Sequence, residues 1–190
     1  MLKRREVTAK LNDVRGESRI ISGLGSSTYD LHSTGDNDRN FYLWGAMGGA
    51  AMVGLGVAMA QTDTKVVVLT GDGEMLMGIG SLATIGVQKP ENLSVIVLDN
   101  GHFGETGMQA SHTNLGVDLT KIAQASGFKT AETIETAREL EGFLKHFPSF
   151  LGPTFAAIKV EQENLPRSLP ILDGVELKNR FRKTFNLLPN

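Results

Sequence analysis

The chain has 190 residues, a formal net charge of −2 and no cysteine, which is enough sequence for one large α/β domain with its own core. The absence of cysteine excludes a disulfide scaffold, thiolate-bound zinc, an iron–sulfur cluster held by this chain and a cysteine nucleophile. With 19 basic and 21 acidic side chains and no basic run beyond residues 3–5, the sequence offers no electrostatic surface for nucleic acid.

The N-terminus has basic residues but no apolar segment directly after them, so we expect no secretory signal and a cytoplasmic location. Residues 41–60 (FYLWGAMGGAAMVGLGVAMA) carry no charge and are long enough to span a bilayer. Five glycines and five alanines make this segment only weakly apolar, which favours a buried helix that another backbone can approach closely. We therefore expect no association with a membrane.

Four short runs rich in β-branched residues predict strands that are buried on both faces, at 19–22, 65–70, 93–98 and 154–160. Helical patterns follow at 75–87, at 118–126 with Asp118 as N-cap, at 133–147 and at 175–185. Strands that alternate with helices in this way predict an α/β fold with a doubly wound parallel sheet and helices on both faces. We expect one domain over 1–160, and over 161–190 a C-terminal arm that packs on the domain or on a partner.

Polar and glycine-rich segments follow two of the predicted strands, and ligands of open parallel sheets bind at those strand ends. The carboxylate of Asp72, the amide of Asn100 and a nearby backbone carbonyl are hard oxygen donors that suit Mg²⁺. Gly71 and Gly73 allow close approach to the backbone, and a helix that begins near Glu74 would direct its first amides at a bound diphosphate. Taken alone, Asp72 also fits the simpler role of a helix N-cap.

The sequence resembles the diphosphate-binding domain of thiamine-diphosphate-dependent 2-oxoacid decarboxylases, in particular the sulfopyruvate and phosphonopyruvate decarboxylases. Gly-Asp-Gly at 71–73, followed by Asp-Asn at 99–100 with 27 residues between Asp72 and Asn100, carries the resemblance. Further matching stretches are NFYLWGAMG at 40–48 and GSLATI at 80–85. The resemblance extends from about residue 22 to residue 160.

This resemblance implies a metal site and a cofactor site. Mg²⁺ would be held by Asp72, by the amide oxygen of Asn100 and by the main-chain carbonyl of His102. The diphosphate of thiamine diphosphate would lie against the turn that contains Gly71, Gly73 and Glu74.

The resemblance also implies a role for the segment before residue 48. Gly45 would accept a hydrogen bond from the exocyclic amine of the cofactor, and Met47 would lie as a wedge between the two cofactor rings. An unbranched methionine can conform to such a cleft, although outside this context a core methionine would be the simpler interpretation. Ala46 and Phe103 complete the predicted cofactor contacts.

Three positions depart from the family pattern. Asp99 stands where the first asparagine of the usual pair is found, which adds a negative charge near the metal. Glu74 replaces a small residue, and its carboxylate would repel a diphosphate unless it faces away or is neutralised. The segment 25–31 lacks the arginine that could pair with an anionic substrate.

Two side chains in the loop after the third predicted strand are candidates for acid–base catalysis. We expect Glu105 or His112 to face the substrate and to handle protons during the reaction. The alternative is that this segment is only a mobile polar loop.

The resemblance implies decarboxylation of a 2-oxoacid with release of an aldehyde. In this family, a carboxylate beside the aminopyrimidine ring comes from a separate pyrimidine-binding domain, for which 190 residues leave no room. We therefore expect a partner subunit, most simply in an α2β2 assembly, with residues 45–60 at the interface. The alternatives are a split transketolase-like subunit, which Glu74 favours, and a non-catalytic cofactor-binding or regulatory subunit. A ferredoxin-linked oxidoreductase subunit shares the Gly-Asp-Gly motif, but this chain could hold no cluster.

Overall fold

The computed structural model of the protein describes residues 1–187, apart from the side chain of residue 148. Residues 188–190, the end of the predicted C-terminal arm, lie outside the described residues.

A parallel sheet of six strands in the order β2-β1-β3-β4-β8-β7 forms the centre of the protein. The strands are β1 (Arg19–Ser22), β2 (Asn40–Tyr42), β3 (Val66–Gly71), β4 (Leu93–Asp99), β7 (Thr130–Ile134) and β8 (Thr154–Lys159), and β5 (His102–Phe103) and β6 (Gln109–Ala110) form a small antiparallel hairpin. The helices are α1 (Arg4–Val14), α2 (Ser26–Ser33), α3 (Ala50–Ala60), α4 (Asp72–Met77), α5 (Gly80–Gln88), α6 (Leu119–Ala125), α7 (Ala137–His146) and α8 (Gly174–Lys183). The predicted doubly wound α/β fold is thereby confirmed.

Helices cover both faces of the sheet because the central strands are apolar on both faces. Val66 and Val68 of β3 pack in the core beneath α3 and α5, whereas Val67 and Leu69 pack in the core beneath α1 and α2. All four predicted strands are present, and each differs from its prediction by at most one residue at either end. The predicted N-cap is also confirmed, since Asp118 accepts a hydrogen bond from the Lys121 amide at 3.0 Å.

Two helix predictions were wrong in their bounds. The single helix predicted over 75–87 is two helices, α4 and α5, and the break at Gly78 lies against the backbone of Gly48. The helix predicted from residue 133 begins only after Thr136, whose side chain and Glu139 form a capping box. Residues 130–134 pair with β8 as an edge strand instead.

The uncharged segment 41–60 is only partly a helix. It contains the end of β2, a turn and the 11 residues of α3. One face of α3 is buried, with Gly54 close against Val68, but Met52 and Met59 on the other face are exposed. The expectation of a buried helix therefore holds for one face. No helix in residues 1–187 has both the length and the apolar character that crossing a membrane requires.

The segment 161–173, which we call the tail, runs across the carboxyl edge of the sheet before α8 begins. The amide of Glu161 donates to the carbonyl of Leu2 at 2.8 Å, and the indole of Trp44 donates to the carbonyl of Ile171 at 3.0 Å. The tail thus passes over the loops that follow several strands, and it ends at α8 beside β2.

Candidate functional site

The loops at the carboxyl ends of β1, β3 and β4 line an open cleft, which we call the main cleft; its volume is about 730 Å³ when the space open to solvent is included. Many of the residues predicted to bind metal or cofactor line it. They are Met47, Gly71, Asp72, Gly73, Glu74, Asn100, His102 and Phe103, together with the predicted catalytic residue Glu105.

Asp72 is the most deeply buried carboxylate in the main cleft, with 2% of its surface exposed. Its Oδ2 accepts a hydrogen bond from the Ser111 hydroxyl and lies 3.2 Å from the hydroxyl oxygen of Thr113. Burial raises the pKa of Asp72, the Ser111 hydroxyl opposes this, and the charge of Asp99 raises the pKa further. A nearby cation would stabilise the ionised form of such a carboxylate.

The turn that follows β4 holds Asn100 and His102 in place. Asn100 Oδ1 accepts a hydrogen bond from the amide of His102 at 2.9 Å, and Asn100 O lies 2.9 Å from Nδ1 of the same histidine. The side-chain amide of Gln162, in the tail, lies 2.8 Å from that ring nitrogen. The tail therefore contacts the residue whose carbonyl is the third predicted metal ligand.

The extra negative charge of Asp99 is neutralised within the fold. Lys159, at the end of the neighbouring strand β8, places its ammonium 2.5 Å from Asp99 Oδ2. Asp99 Oδ1 accepts from the amide of Gly101 at 3.0 Å and from the Thr113 hydroxyl at 2.8 Å. Thr113 thus connects the carboxylates of Asp72 and Asp99, and the departure at position 99 is accompanied by its own counter-charge.

Glu74 lines the main cleft, but its carboxylate is directed towards the ends of β1 and β3. Oε2 accepts a hydrogen bond from the Thr70 hydroxyl at 2.7 Å, and a Cβ atom at Gly23 would lie 1.5 Å from the same oxygen. Burial raises the pKa of Glu74, and the Thr70 hydroxyl partly opposes this. The glycine at position 23 therefore provides the space in which this carboxylate lies.

The loop before α3 carries the predicted wedge. Gly45 and Ala46 have positive φ angles of 78° and 50°, and both are exposed and lie outside the lining of the main cleft. Met47 does line the cleft while 56% of its surface is exposed. Tight contact between the backbones of Gly48 and Gly78 holds the end of this loop against the break between α4 and α5.

The structure does not bring the two predicted catalytic side chains together in the main cleft. Glu105 lines the cleft and forms an ion pair with Arg167 of the tail at 3.2 Å. His112 is exposed and lies outside the cleft lining, and its ring packs edge-on against Phe103 with 6.3 Å between the ring centroids.

Several residues that shape the site have no marker in the sequence. Arg4 of α1 lines the main cleft, and Thr113, Lys159 and Arg167 contact its carboxylates. In the sequence, Arg4 is only part of a short basic run. Within residues 1–187, no cluster of three or more His, Asp or Glu side chains is placed to hold a metal, so the predicted Mg²⁺ set depends on one carboxylate, one amide and one backbone carbonyl.

The fold and the cleft define an α/β domain that binds its ligand at the carboxyl edge of a parallel sheet. Residues 24–158 match the family described as "Thiamine pyrophosphate enzyme, C-terminal TPP binding domain", and the chain belongs to this family. The resemblance inferred from the sequence is thereby confirmed.

Relatives of two lengths match the chain. The sulfopyruvate decarboxylase subunit beta of Methanocaldococcus jannaschii is 40% identical over 79% of this chain and 78% of its own length. The phosphonopyruvate decarboxylase of Streptomyces viridochromogenes is 37% identical over 90% of this chain but only 43% of its own length. Benzoylformate decarboxylase from Polynucleobacter necessarius shares the fold, with a TM-score of 0.69 and 20% identity over 88% of this chain and 34% of that one.

Proposed function

We propose that this chain is the diphosphate-binding subunit of a thiamine-diphosphate- and Mg²⁺-dependent 2-oxoacid decarboxylase that contains two kinds of chain. The observation that carries this proposal is the main cleft, where Asp72 and Asn100 from the ends of two adjacent strands meet the Gly71–Gly73 turn. When bound, thiamine diphosphate supplies the nucleophilic carbon and the electron sink that decarboxylation needs. The names of the relatives support a substrate similar to sulfopyruvate or phosphonopyruvate.

The side chains at the strand ends fit Mg²⁺. Asp72 is a desolvated carboxylate whose Oδ2 accepts from the Ser111 hydroxyl, and a divalent cation would compensate its charge inside the cleft. Asn100 and the carbonyl of His102 would complete the protein ligands, which suits an ion that keeps further positions for water and phosphate oxygens. Lys159 prevents Asp99 from adding a second unbalanced charge.

The cofactor would lie along the glycine turn with the Met47 loop over it. Gly71, Gly73 and the main chain of Glu74 would lie next to the diphosphate, with the ring of Phe103 against Gly73. The side chain of Glu74 is directed towards Gly23 and Thr70, which supports a carboxylate that does not repel the diphosphate. Gly45, Ala46 and Met47 would contact the pyrimidine and thiazolium rings, and Met47 already lines the cleft.

Of the two predicted acid–base residues, Glu105 has the better position. It lines the main cleft, where it could hold or deliver a proton next to the substrate, and Arg167 fixes its orientation. The ring of His112 packs against Phe103, which lines the cleft, so we propose that His112 positions this ring.

The exposed face of α3 supports a partner subunit. The helix contains no charged residue, and Met52 and Met59 are exposed along its outer face. Exposed apolar residues of this kind mark interaction surfaces. We propose that a pyrimidine-domain subunit covers this face and supplies the missing carboxylate, most simply in an α2β2 assembly. We further propose 1–160 as the binding domain and the tail with α8 as its arm.

The first test is cofactor binding by the chain assembled with a pyrimidine-domain subunit. Loss of an outer-shell partner of a metal lowers its affinity by about 10- to 100-fold. Asp72→Ala removes a proposed direct ligand, so it should lower Mg²⁺-dependent binding of thiamine diphosphate by more than this. Asp63→Ala, at an exposed position between α3 and β3, is the matched control. Undiminished binding by the Asp72 variant, measured by calorimetry, would contradict the site assignment.

The second test is the reaction itself. The assembled enzyme should release carbon dioxide from sulfopyruvate or phosphonopyruvate. Transfer of a ketol unit between sugars without carbon dioxide would identify a transketolase-like subunit instead. No turnover despite bound cofactor and partner would identify a non-catalytic subunit.

A further inference from the structure

A second cleft adjoins the main cleft and is lined by three arginines; its volume is about 430 Å³ when the space open to solvent is included. Arg4 and Arg5 come from α1, and Arg167 comes from the tail. The two clefts share five lining residues, which are Arg4, Ser26, Asn100, Gly104 and Glu105. The second cleft is therefore continuous with the place where the cofactor is proposed to react.

Arg4 is the arginine that lines both clefts, although only 5% of its surface is exposed. Its Nε donates to the carboxylate of Asp30, and its Nη1 donates weakly to the carbonyl of Glu163 at 3.4 Å. Among residues 1–187, no hydrogen-bond partner is found for Nη2. A guanidinium has five N–H donors in a rigid plane, so part of this one remains available to a ligand.

The guanidinium of Arg4 is only partly compensated by the one carboxylate that it contacts. Asp30 is fully buried, and its carboxylate is shared by two guanidiniums, those of Arg4 and Arg5, the latter at 3.1 Å. The other two carboxylates of the cleft have partners of their own. Glu105 pairs with Arg167, and Glu163 accepts from the backbone amide of Arg4 at 3.2 Å. Three arginines and three carboxylates line the cleft, so it has no net charge as a whole. The buried Arg4 guanidinium nevertheless shares its carboxylate with Arg5, and an oxyanion within reach of its remaining N–H groups would complete its hydrogen bonds.

We propose that the second cleft binds the terminal acid group of the substrate, a sulfonate or phosphonate, with Arg4 as its principal contact and Arg167 at the rim. This inference rests on the proposed function, because it requires the oxoacid end of the same molecule to lie in the main cleft. Guanidinium groups match oxyanions of this kind through paired hydrogen bonds. The arginine missing from residues 25–31 is thus replaced by residues from α1 and the tail.

The test compares two substrates on the assembled enzyme saturated with thiamine diphosphate and Mg²⁺. Sulfopyruvate carries the terminal acid group, and pyruvate is the same oxoacid without it. Arg167→Gln changes a largely exposed side chain and should lower the ratio of kcat/KM for sulfopyruvate to that for pyruvate by about 10-fold. Arg4→Lys keeps the charge but loses the planar group, and it should lower the same ratio by about 10- to 100-fold. Arg138→Gln, on the exposed surface of α7, is the matched control.

Several outcomes would overturn the inference. An equal loss of activity on both substrates would show that the arginines have no role in recognising the terminal acid group. A weaker affinity for thiamine diphosphate in Arg4→Lys, with an unchanged substrate ratio, would assign Arg4 to the cofactor diphosphate. If the wild-type enzyme used pyruvate with the same kcat/KM as sulfopyruvate, the anion subsite would be refuted, but the decarboxylase function would stand.

A wild-type enzyme without turnover on any 2-oxoacid would refute the proposed function, and direct binding then tests the cleft. 3-Sulfopropanoate, which has both acid groups but no ketone, should bind the wild-type complex at least about 10-fold more tightly than the Arg167→Gln complex. Equal affinity of the two complexes would overturn the inference. Because Arg167 is exposed, this comparison does not depend on the folding of an Arg4 variant.

Discussion

The contact between Gly48 and Gly78 permits a sharp test of how the main cleft is built. A Cβ atom at Gly78 would lie 2.0 Å from the carbonyl oxygen of Gly48 and 2.8 Å from its carbonyl carbon. The neighbour is backbone and cannot rotate away, so Gly78→Ala must move either the loop that carries Met47 or the break between α4 and α5. Gly78 has φ −105°, which alanine adopts readily, so the cost is steric alone.

Overpacking of this kind costs about 1–3 kcal/mol. For a chain of this length, each kcal/mol corresponds to roughly 2–4 °C in melting temperature, so Gly78→Ala should melt about 2–12 °C lower than wild type. Gly80→Ala is the matched control because a Cβ there meets nothing within 4 Å. At the start of α5, alanine should be neutral or stabilising by up to about 1 kcal/mol.

Thermal and urea unfolding of the purified chain would measure both variants. The same displacement should weaken cofactor binding in Gly78→Ala, because the Met47 loop moves with Gly48, and it should leave binding by Gly80→Ala unchanged. If the two variants were equally stable, the backbone contact could not be what fixes this loop.

Two further predictions concern charges. Asp118→Ala should cost about 1 kcal/mol of stability through loss of the cap of α6, with Asp118→Asn as a control that keeps an acceptor. The hydrogen bond from the Lys121 amide lowers the pKa of Asp118. The stabilisation by the cap is therefore present above the ordinary pKa of 3.8 and is lost as pH falls through the lower folded-state pKa. If the stability lost in Asp118→Ala did not shrink in urea titrations at acid pH, the capping role would be contradicted. Lys159→Met should destabilise the fold by about 2–3 kcal/mol because it leaves the buried Asp99 without its cation. This is less than the roughly 3–5 kcal/mol expected for a fully buried pair, since the side chain of Lys159 is 35% exposed. Adding Asp99→Asn should restore most of that stability, and a double variant as unstable as Lys159→Met would refute the pairing.

The sequence predicted those parts of the fold that depend on local pattern. The runs that form β3 and β4 consist mostly of valine, leucine and isoleucine without alternating polar residues, a pattern typical of strands that are covered on both faces. Asp118 precedes a helix at the position where an N-cap is needed. The motif at 71–73 and the residues after β4 also identified the main cleft, because parallel strands bring their carboxyl ends to one edge.

Parts of the structure that depend on distant contacts were missed. The sequence of α2, SSTYDLHS, has little helix propensity, and its Asp30 is buried against arginines of α1. Likewise, Lys159 and Thr113 reach Asp72 or Asp99 only through the order of the strands and the path of the loop. No spacing rule predicts a partner 60 residues away, so the second cleft could not be found before the fold was known.

The place of β8 in the sheet determines when during synthesis the two clefts can form. It is the last strand of the sheet in sequence, yet it pairs between β4 and β7, both of which precede it. The residues that follow it bring Gln162 to His102 and Arg167 to Glu105. Until those residues have left the ribosome, β4 has no neighbour on that side, Asp99 has no cation and the second cleft lacks one wall. The two clefts can therefore capture cofactor, anion or partner only after residues 154–167 have been made, and residues 1–153 must fold as far as they can without them.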